Sequence, residues 1–381
     1  MNTSLLDPTL PYLTAALPGI GGALRATPAD FVVEELPLYE ASGEGTHLYI
    51  SITKENQTTR EVVDAVERLF ALPRGSVGYA GLKDRSARTT QTLSVPLKAA
   101  SPGIEEELLQ RLRDGLPVQV HWARLHRNKL KIGHLLGNRF RIAVSEIALP
   151  PDEVLERAQA IADQLRREGA PNFFGPQRFG GHGDNAQLGY ELLTGQRRQK
   201  DKWLRRFLIT GFQSALCNRV LALRMERGAF GRLLTGDVAK KHDTGGVFDV
   251  EDAALEQPRF DAHEISFTLP MFGAKMRRAQ GEAGALEAEV EAETGLTDAQ
   301  WKEARIEGTR RMGRLLLPDL EMVAQPVHGA GTGDEAPLHA LTTTLELSFS
   351  LPKGAFATSV LREFMKVEDG PLPAQEVDVE S

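Results

Sequence analysis

The chain has 381 residues, 41% of them apolar and 25% charged, which is the composition of a globular protein with enough length for more than one packed core. No run approaches the roughly 18 to 20 apolar residues of a membrane span, and no basic stretch leads into an apolar one at the N-terminus, so no anchor or signal peptide is expected and the cytoplasm is the expected compartment. The single cysteine, Cys217, excludes an internal disulfide or a cysteine-based metal cluster, and the net charge of −7 argues, as an average, against a phosphate-rich partner.

Residues 31–36 and 47–53 read as strands. The run TTREVVDAVERLFA from Thr58 carries Val62, Val66, Leu69 and Phe70 at the spacing of one helical face. Alternation at Leu93, Val95 and Leu97 predicts a further strand, and residues 118–125, 127–132 and 138–144 are also expected to be extended. Short strands with few long helices between them predict a largely antiparallel or mixed sheet with helices on one side, an α+β fold. Between residues 115 and 145 no acidic residue occurs, while Arg124, Arg127, Lys129, Lys131, Arg139 and Arg141 accumulate; a second basic cluster, RRQKDKWLRR, begins at Arg197. Each alone reads as a solvated face, and the two together as a local anion-binding surface.

A helix is predicted from Pro151, with Asp152 and Glu153 suiting the positive end of its dipole, to Gly169, where a first domain boundary falls. Beyond it helical segments dominate, among them residues 204–227, in which Cys217 reads as a small buried thiol, and the run GALEAEVEAETG, whose acidic face is expected in solvent. After Pro318 the character changes again. GAGTGDE reads as a loop, Leu345, Leu347, Phe349 and Leu351 alternate as a half-buried strand, and a helix follows from Ala357. One strand and one helix bury too little apolar area by themselves, so this tail is expected to rejoin the first sheet, and the end beyond Asp369 to fray.

Nucleotide-fold, P-loop, zinc-protease and hydrolase-elbow motifs are missing. His121, His126 and His134 lack a ligand spacing and read as surface or edge positions. The glycines of NFFGPQRFGGHGDN could present amides to a phosphate or form a junction between domains. By composition, Lys83, Asp84 and Arg85 form a solvent-facing turn; but this turn lies between two strands, where a rigid sheet holds it, and a carboxylate beside cations stays ionised, as a nucleophile must. On a strand, Asn138 and Phe140 share one face while Arg139 and Arg141 share the other. A carboxamide beside a ring suits a flat base; taken alone, the pair more often reads as Phe140 filling the core with Asn138 ending a turn.

The run GLKDRSARTTQ resembles the signature of the tRNA pseudouridine synthase D family, Gly-x-Lys-Asp-(Arg/Lys)-x-Ala-x-Thr-x-Gln. ATPADFVVEE, KLKIGHLLGNRF, GAPNFFGPQRFGG and GAFATSVLREF join it in the order that family has, over nearly the whole chain. The resemblance implies a pseudouridine synthase fold, a mixed antiparallel sheet with flanking helices, formed by residues 1–168 and 319–381 and interrupted by an inserted α/β TRUD domain at 169–318. It implies isomerisation of uridine to pseudouridine at position 13 in the tRNA D-arm, on a flipped-out base, without metal or organic cofactor, by an enzyme expected to be a monomer. Asp84 matches the catalytic aspartate. Phe140 matches the ring that stacks on the base, Asn138 its polar companion, and Phe31 the aromatic lining the pocket; Lys83 joins them in substrate binding. Arg25 stands where the basic partner of the aspartate is expected. The rival reading is a non-catalytic tRNA-binding or RNA-chaperone protein, for which the basic clusters suffice.

Overall fold

The computed structural model describes residues 10–24, 27–97, 103–327 and 342–367, save the side chains of Gln177 and Val327. Its first half alternates short strands with amphipathic helices: β1 (Ala23–Leu24), β2 (Phe31–Pro37), β3 (His47–Lys54), α1 (Thr59–Leu69), β4 (Gly78–Tyr79), β5 (Arg88–Pro96), α2 (Ile104–Gly115), β6 (Gln119–His126), β7 (Leu135–Ile147) and α3 (Pro151–Glu168). The start of α1 is set by a capping box. The Thr58 hydroxyl accepts from Glu61 N at 3.1 Å, and the Glu61 carboxylate accepts from Thr58 N at 2.6 Å. Gly169 ends α3 with its amide bonded back to Leu165 O at 2.8 Å.

The second half runs β8 (Ala170–Pro171), α4 (Asn185–Leu193), α5 (Lys202–Glu226), β9 (Val238–Lys241), β10 (Val247–Asp249), α6 (Ala253–Asp261), β11 (Ile265–Met271), α7 (Gly281–Thr294), α8 (Asp298–Glu303), β12 (Thr309–Met312), β13 (Arg314–Leu315), β14 (Glu321–Val327), β15 (Thr342–Pro352) and α9 (Ala357–Met365). The main sheet has nine strands in the order β14-β15-β7-β2-β5-β3-β6, with β1 on β7 and β4 on β5. Only the β2–β5 pair among them is parallel, so the sheet is mixed. The tail does rejoin it, since β15 lies antiparallel to β7 with Phe349 opposite Phe140.

Register places the apolar positions of these strands on one face. There Phe140, Ile142, Val144, Leu345, Leu347 and Phe349 pack against α3 and α9, while Leu48, Ile50, Ile52, Leu93 and Val95 pack against α1 and α2. A third core is drawn from residues 173–306, centred on α5 and a separate sheet ordered β10-β9-β11-β12. The periodicity of residues after Gly169 reads as mostly helical and does not reveal that sheet, whereas the α/β character implied by the family resemblance includes it. Its β11 is buried at all seven positions, so it carries no alternation to read.

Two other expectations are corrected. Residues 127–132 are not a strand but a loop laid over the sheet: Leu130 N donates to Ser94 Oγ at 2.9 Å, and Gly133, at φ 84°, donates to Ala80 O at 2.8 Å. The alternation there is real in sequence but buries only Leu130, while Ile132 is 64% exposed. The acidic face of α7 is not wholly in solvent either, because Glu287 is buried against Arg310 at 2.7 Å. The GAGTGDE loop and the chain beyond Asp369 lie outside the described residues.

Candidate catalytic site

The GLKDRSA segment crosses from β4 to β5 and is held from beneath by three buried polar residues. Lys54 ends β3 on the same side as Leu48, Ile50 and Ile52, so its side chain runs inward and is 1% exposed. Its ammonium donates to three carbonyls: Gln57 at 2.6 Å, Lys83 at 3.2 Å and Asp84 at 2.8 Å. At the first position of α1, the Thr59 hydroxyl accepts from Lys83 N and donates to Gln91 Oε1, both at 2.9 Å, and Gln91 Nε2 returns to Gly81 O at 3.3 Å. The main chain on both sides of Asp84 is thus fixed by hydrogen bonds to rigid elements, which pre-sets where the half-buried carboxylate lies. Within the turn, Asp84 Oδ1 accepts from Ser86 N at 3.2 Å.

Lys83 turns the other way. Its Nζ lies 2.8 Å from Asn138 Oδ1 and 2.9 Å from Glu35 Oε2, and the lysine and glutamate side chains are 5% and 3% exposed. Strand register explains the meeting, because Glu35 of β2 sits opposite Asn138 of β7. A buried charge pair of this kind persists only where further hydrogen bonds satisfy both ions. Glu35 Oε1 has one from Thr92 N at 3.2 Å, at the point where β5 leaves β2.

Next to this pair the rings stack in series. Phe31 meets Phe140 edge-on with centroids 6.3 Å apart, and Phe140 lies on Phe349 at 5.6 Å. Phe140 is 6% exposed and Phe31 1%. The structure therefore brings together Lys83 with Asn138 and Phe31 with Phe140, and joins the first pair to Asp84 through the chain. Arg25 lies outside the described residues. Lys54, Thr59 and Glu35 were not singled out in the sequence, although the inward period of β3 marks Lys54 as a buried cation; Gln91 closes the GLKDRSARTTQ run.

The three histidines serve different neighbours. His121 Nε2 bonds Thr53 Oγ1 at 2.7 Å, His134 Nδ1 bonds the Tyr39 hydroxyl at 2.7 Å, and His126 Nδ1 accepts from Ser42 N at 3.1 Å. Burial holds the His126 imidazole below its ordinary value, with Arg127 adding to the effect. The NFFGPQRF block begins as a junction. Asn172 Nδ2 donates to Met312 O at 2.8 Å, Ser359 Oγ donates to Phe173 O at 2.8 Å, and Arg311 lies over the Phe174 ring and donates to Gly354 O at 2.8 Å. Burial pushes the Arg311 guanidinium down to about 10 and the Cys217 thiol up to about 12, so the first stays cationic and the second protonated at neutral pH.

The family model for tRNA pseudouridine synthase D (TruD) matches residues 9–200 and 197–364. A tRNA pseudouridine synthase D of Thermus thermophilus is 44% identical over 358 residues, 94% of this chain and 92% of that one. One from Anaeromyxobacter dehalogenans is 41% identical over 382 residues, 96% of this chain and 99% of that one. The crystal structure of a putative tRNA pseudouridine synthase D from Methanosarcina mazei has the same fold, with a TM-score of 0.76 at 22% identity, covering 96% of this chain and 98% of that one. With both halves of the chain matched by one family model, and relatives above 40% identity along nearly its full length, this chain belongs to the tRNA pseudouridine synthase D family.

Proposed function

We propose that the chain isomerises uridine to pseudouridine at position 13, in the D-arm of tRNA, with the Asp84 carboxylate acting on a nucleotide swung out of its stack. Family membership supports tRNA pseudouridine synthesis in general. The observation that carries the finer reading is the pinned turn: Lys54 and Thr59 fix the backbone around Asp84, while Lys83 reaches the Asn138 amide, two residues from Phe140. We further take residues 1–168 with 319–381 as the catalytic unit and 169–318 as an insertion, a division that the separate core drawn from residues 173–306 supports.

The reaction breaks the bond from ribose C1′ to uracil N1 and remakes it to C5, so atoms and oxidation state are unchanged. Extruding the base costs a few kcal/mol, offset by stacking of roughly 1 to 3 kcal/mol per base and by phosphate contacts. Phe140, backed by Phe31, is the ring proposed to stack. Asp84 then either attacks C1′, with uracil leaving as its anion, or removes a ribose proton to give a glycal. The freed ring turns and C5 bonds to C1′ as the Asp84 carboxylate leaves or, by the glycal route, as the ribose proton is returned; the C5 proton departs to solvent and N1 takes up a proton. Arg25 is proposed to aim the carboxylate.

Tritium release from tRNA carrying 5-tritiated uridine tests the assignment. Asp84→Asn is expected to release none while still binding tRNA, and release at the wild-type rate would remove Asp84 from the mechanism. Primer-extension stops after carbodiimide treatment locate the product; stops elsewhere in the tRNA would displace position 13.

A further inference from the structure

An amide side chain offers an acceptor at one end and two donors at the other, and a ligand feels whichever end is presented. For Asn138 the choice is forced. A lysine Nζ carries donors only, so the atom it holds at 2.8 Å must be the amide oxygen, and turning the amide over would set donors against donors. Lys83 in turn cannot swing away, because Glu35 holds it at 2.9 Å in a site where both side chains are buried, and Glu35 is itself tied to Thr92 N at 3.2 Å. That leaves the Asn138 Nδ2 group, on a half-buried residue, with no acceptor among the described residues.

We infer that Glu35 acts as a positioning residue which, through Lys83, locks the Asn138 amide so that its Nδ2 is a fixed donor to a uracil carbonyl. This rests on the reading of the site given above. The uracil ring has a near-twofold axis through N3 and C6. A half-turn about that axis exchanges N1 with C5, which the isomerisation requires, and at the same time exchanges O2 with O4. A donor fixed on O4 of the substrate therefore finds O2 of the product in the same position, and one contact holds the ring before and after the turn. Cytosine has an amino group at position 4, so the locked amide meets it donor to donor. An amide free to flip would offer its oxygen to that amino group and lose the distinction, so the lock sets the preference for uridine.

Single-turnover rates on tRNA with uridine, 4-thiouridine or 2-thiouridine at the target position test this, sulfur being the weaker acceptor. The wild type is expected to slow about tenfold with either thiocarbonyl, the effect of about one hydrogen bond. In Asn138→Ala and Glu35→Gln the penalty is expected to shrink towards onefold, although the rate on ordinary uridine falls. With turnover blocked by Asp84→Asn, cytidine at the target is expected to weaken binding about tenfold, and adding Glu35→Gln to close most of that gap. A wild type indifferent to both thiocarbonyls overturns the inference without any variant, as does a folded Glu35→Gln protein that keeps the full thio penalty and the full cytidine gap. Failure of the wild type to form pseudouridine at all would instead remove the underlying reading, and the two failures are told apart by the first measurement.

Discussion

Phe140 lies between the edge of Phe31 and the face of Phe349 and is 6% exposed, so two roles compete for one ring. As core filler it supports the packing of β7 on β15; as a stacking surface it must present a face to the substrate base. Substitutions separate the two. Phe140→Ala is expected to cost about 3 to 5 kcal/mol of stability through the cavity it leaves, and so cannot decide alone. Phe140→Leu keeps most of the volume, and should lose little in thermal midpoint but about 5- to 150-fold in kcat/KM, the equivalent of a stacking term of roughly 1 to 3 kcal/mol. Phe140→Tyr, which keeps the ring, should retain far more activity than Phe140→Leu; equal losses in the two would reduce the ring to packing. What sequence could reveal at this scale follows the same division. Asp84, Asn138 and Phe140 stand in short contiguous patterns, whereas Glu35 meets Lys83 only after β2 and β7 align in register, a relation that no local spacing carries.

At the scale of elements, the end of α5 is fixed to the start of β9 by a buried ion pair. Arg224 reaches Asp237 through two bonds of 2.7 and 2.8 Å, donates to Ala229 O and Arg232 O, and lies over the Phe267 ring at 3.7 Å. Both side chains are almost wholly buried, so truncating one leaves the other charged and unpaired in the core of residues 173–306. Arg224→Met is expected to lower stability by about 3 to 5 kcal/mol in urea unfolding, and the double variant Arg224→Met/Asp237→Leu to recover part of it. A loss below about 1 kcal/mol in the single variant would mean that water or relaxation compensates Asp237. Elements were legible where one face is wet. The tail strand alternates buried and open positions along nearly its whole length, and α1 carries its cap and its apolar stripe, so both were readable. The sheet around β11 was not, because burial on both faces erases the period. Residues 127–132 misled for the opposite reason: they alternate but cross over β5, where β4 and β3 already occupy both sides.

For the whole molecule the question is how a chain of net charge −7 attracts a polyanion. The answer depends on where its cations face. Strand alternation puts Arg139 and Arg141 on the side of the sheet opposite Asn138 and Phe140, and both arginines are exposed. The loop carrying Asp84 lies on the other side, the one that α1, α2, α3 and α9 also pack against, where Lys54, Thr59 and Gln91 hold it. If the tRNA approaches the carboxylate from that side, these two arginines contact no phosphate despite belonging to the basic run. Affinity for tRNA should fall with added salt, with a slope of about 0.7 to 0.9 per phosphate contacted. Replacing Arg139 and Arg141 together with glutamine is then expected to leave both that slope and kcat/KM unchanged. A slope made shallower by about one to two units would instead mean that the RNA wraps onto the far face, and the footprint would have to be redrawn around both sides of the sheet.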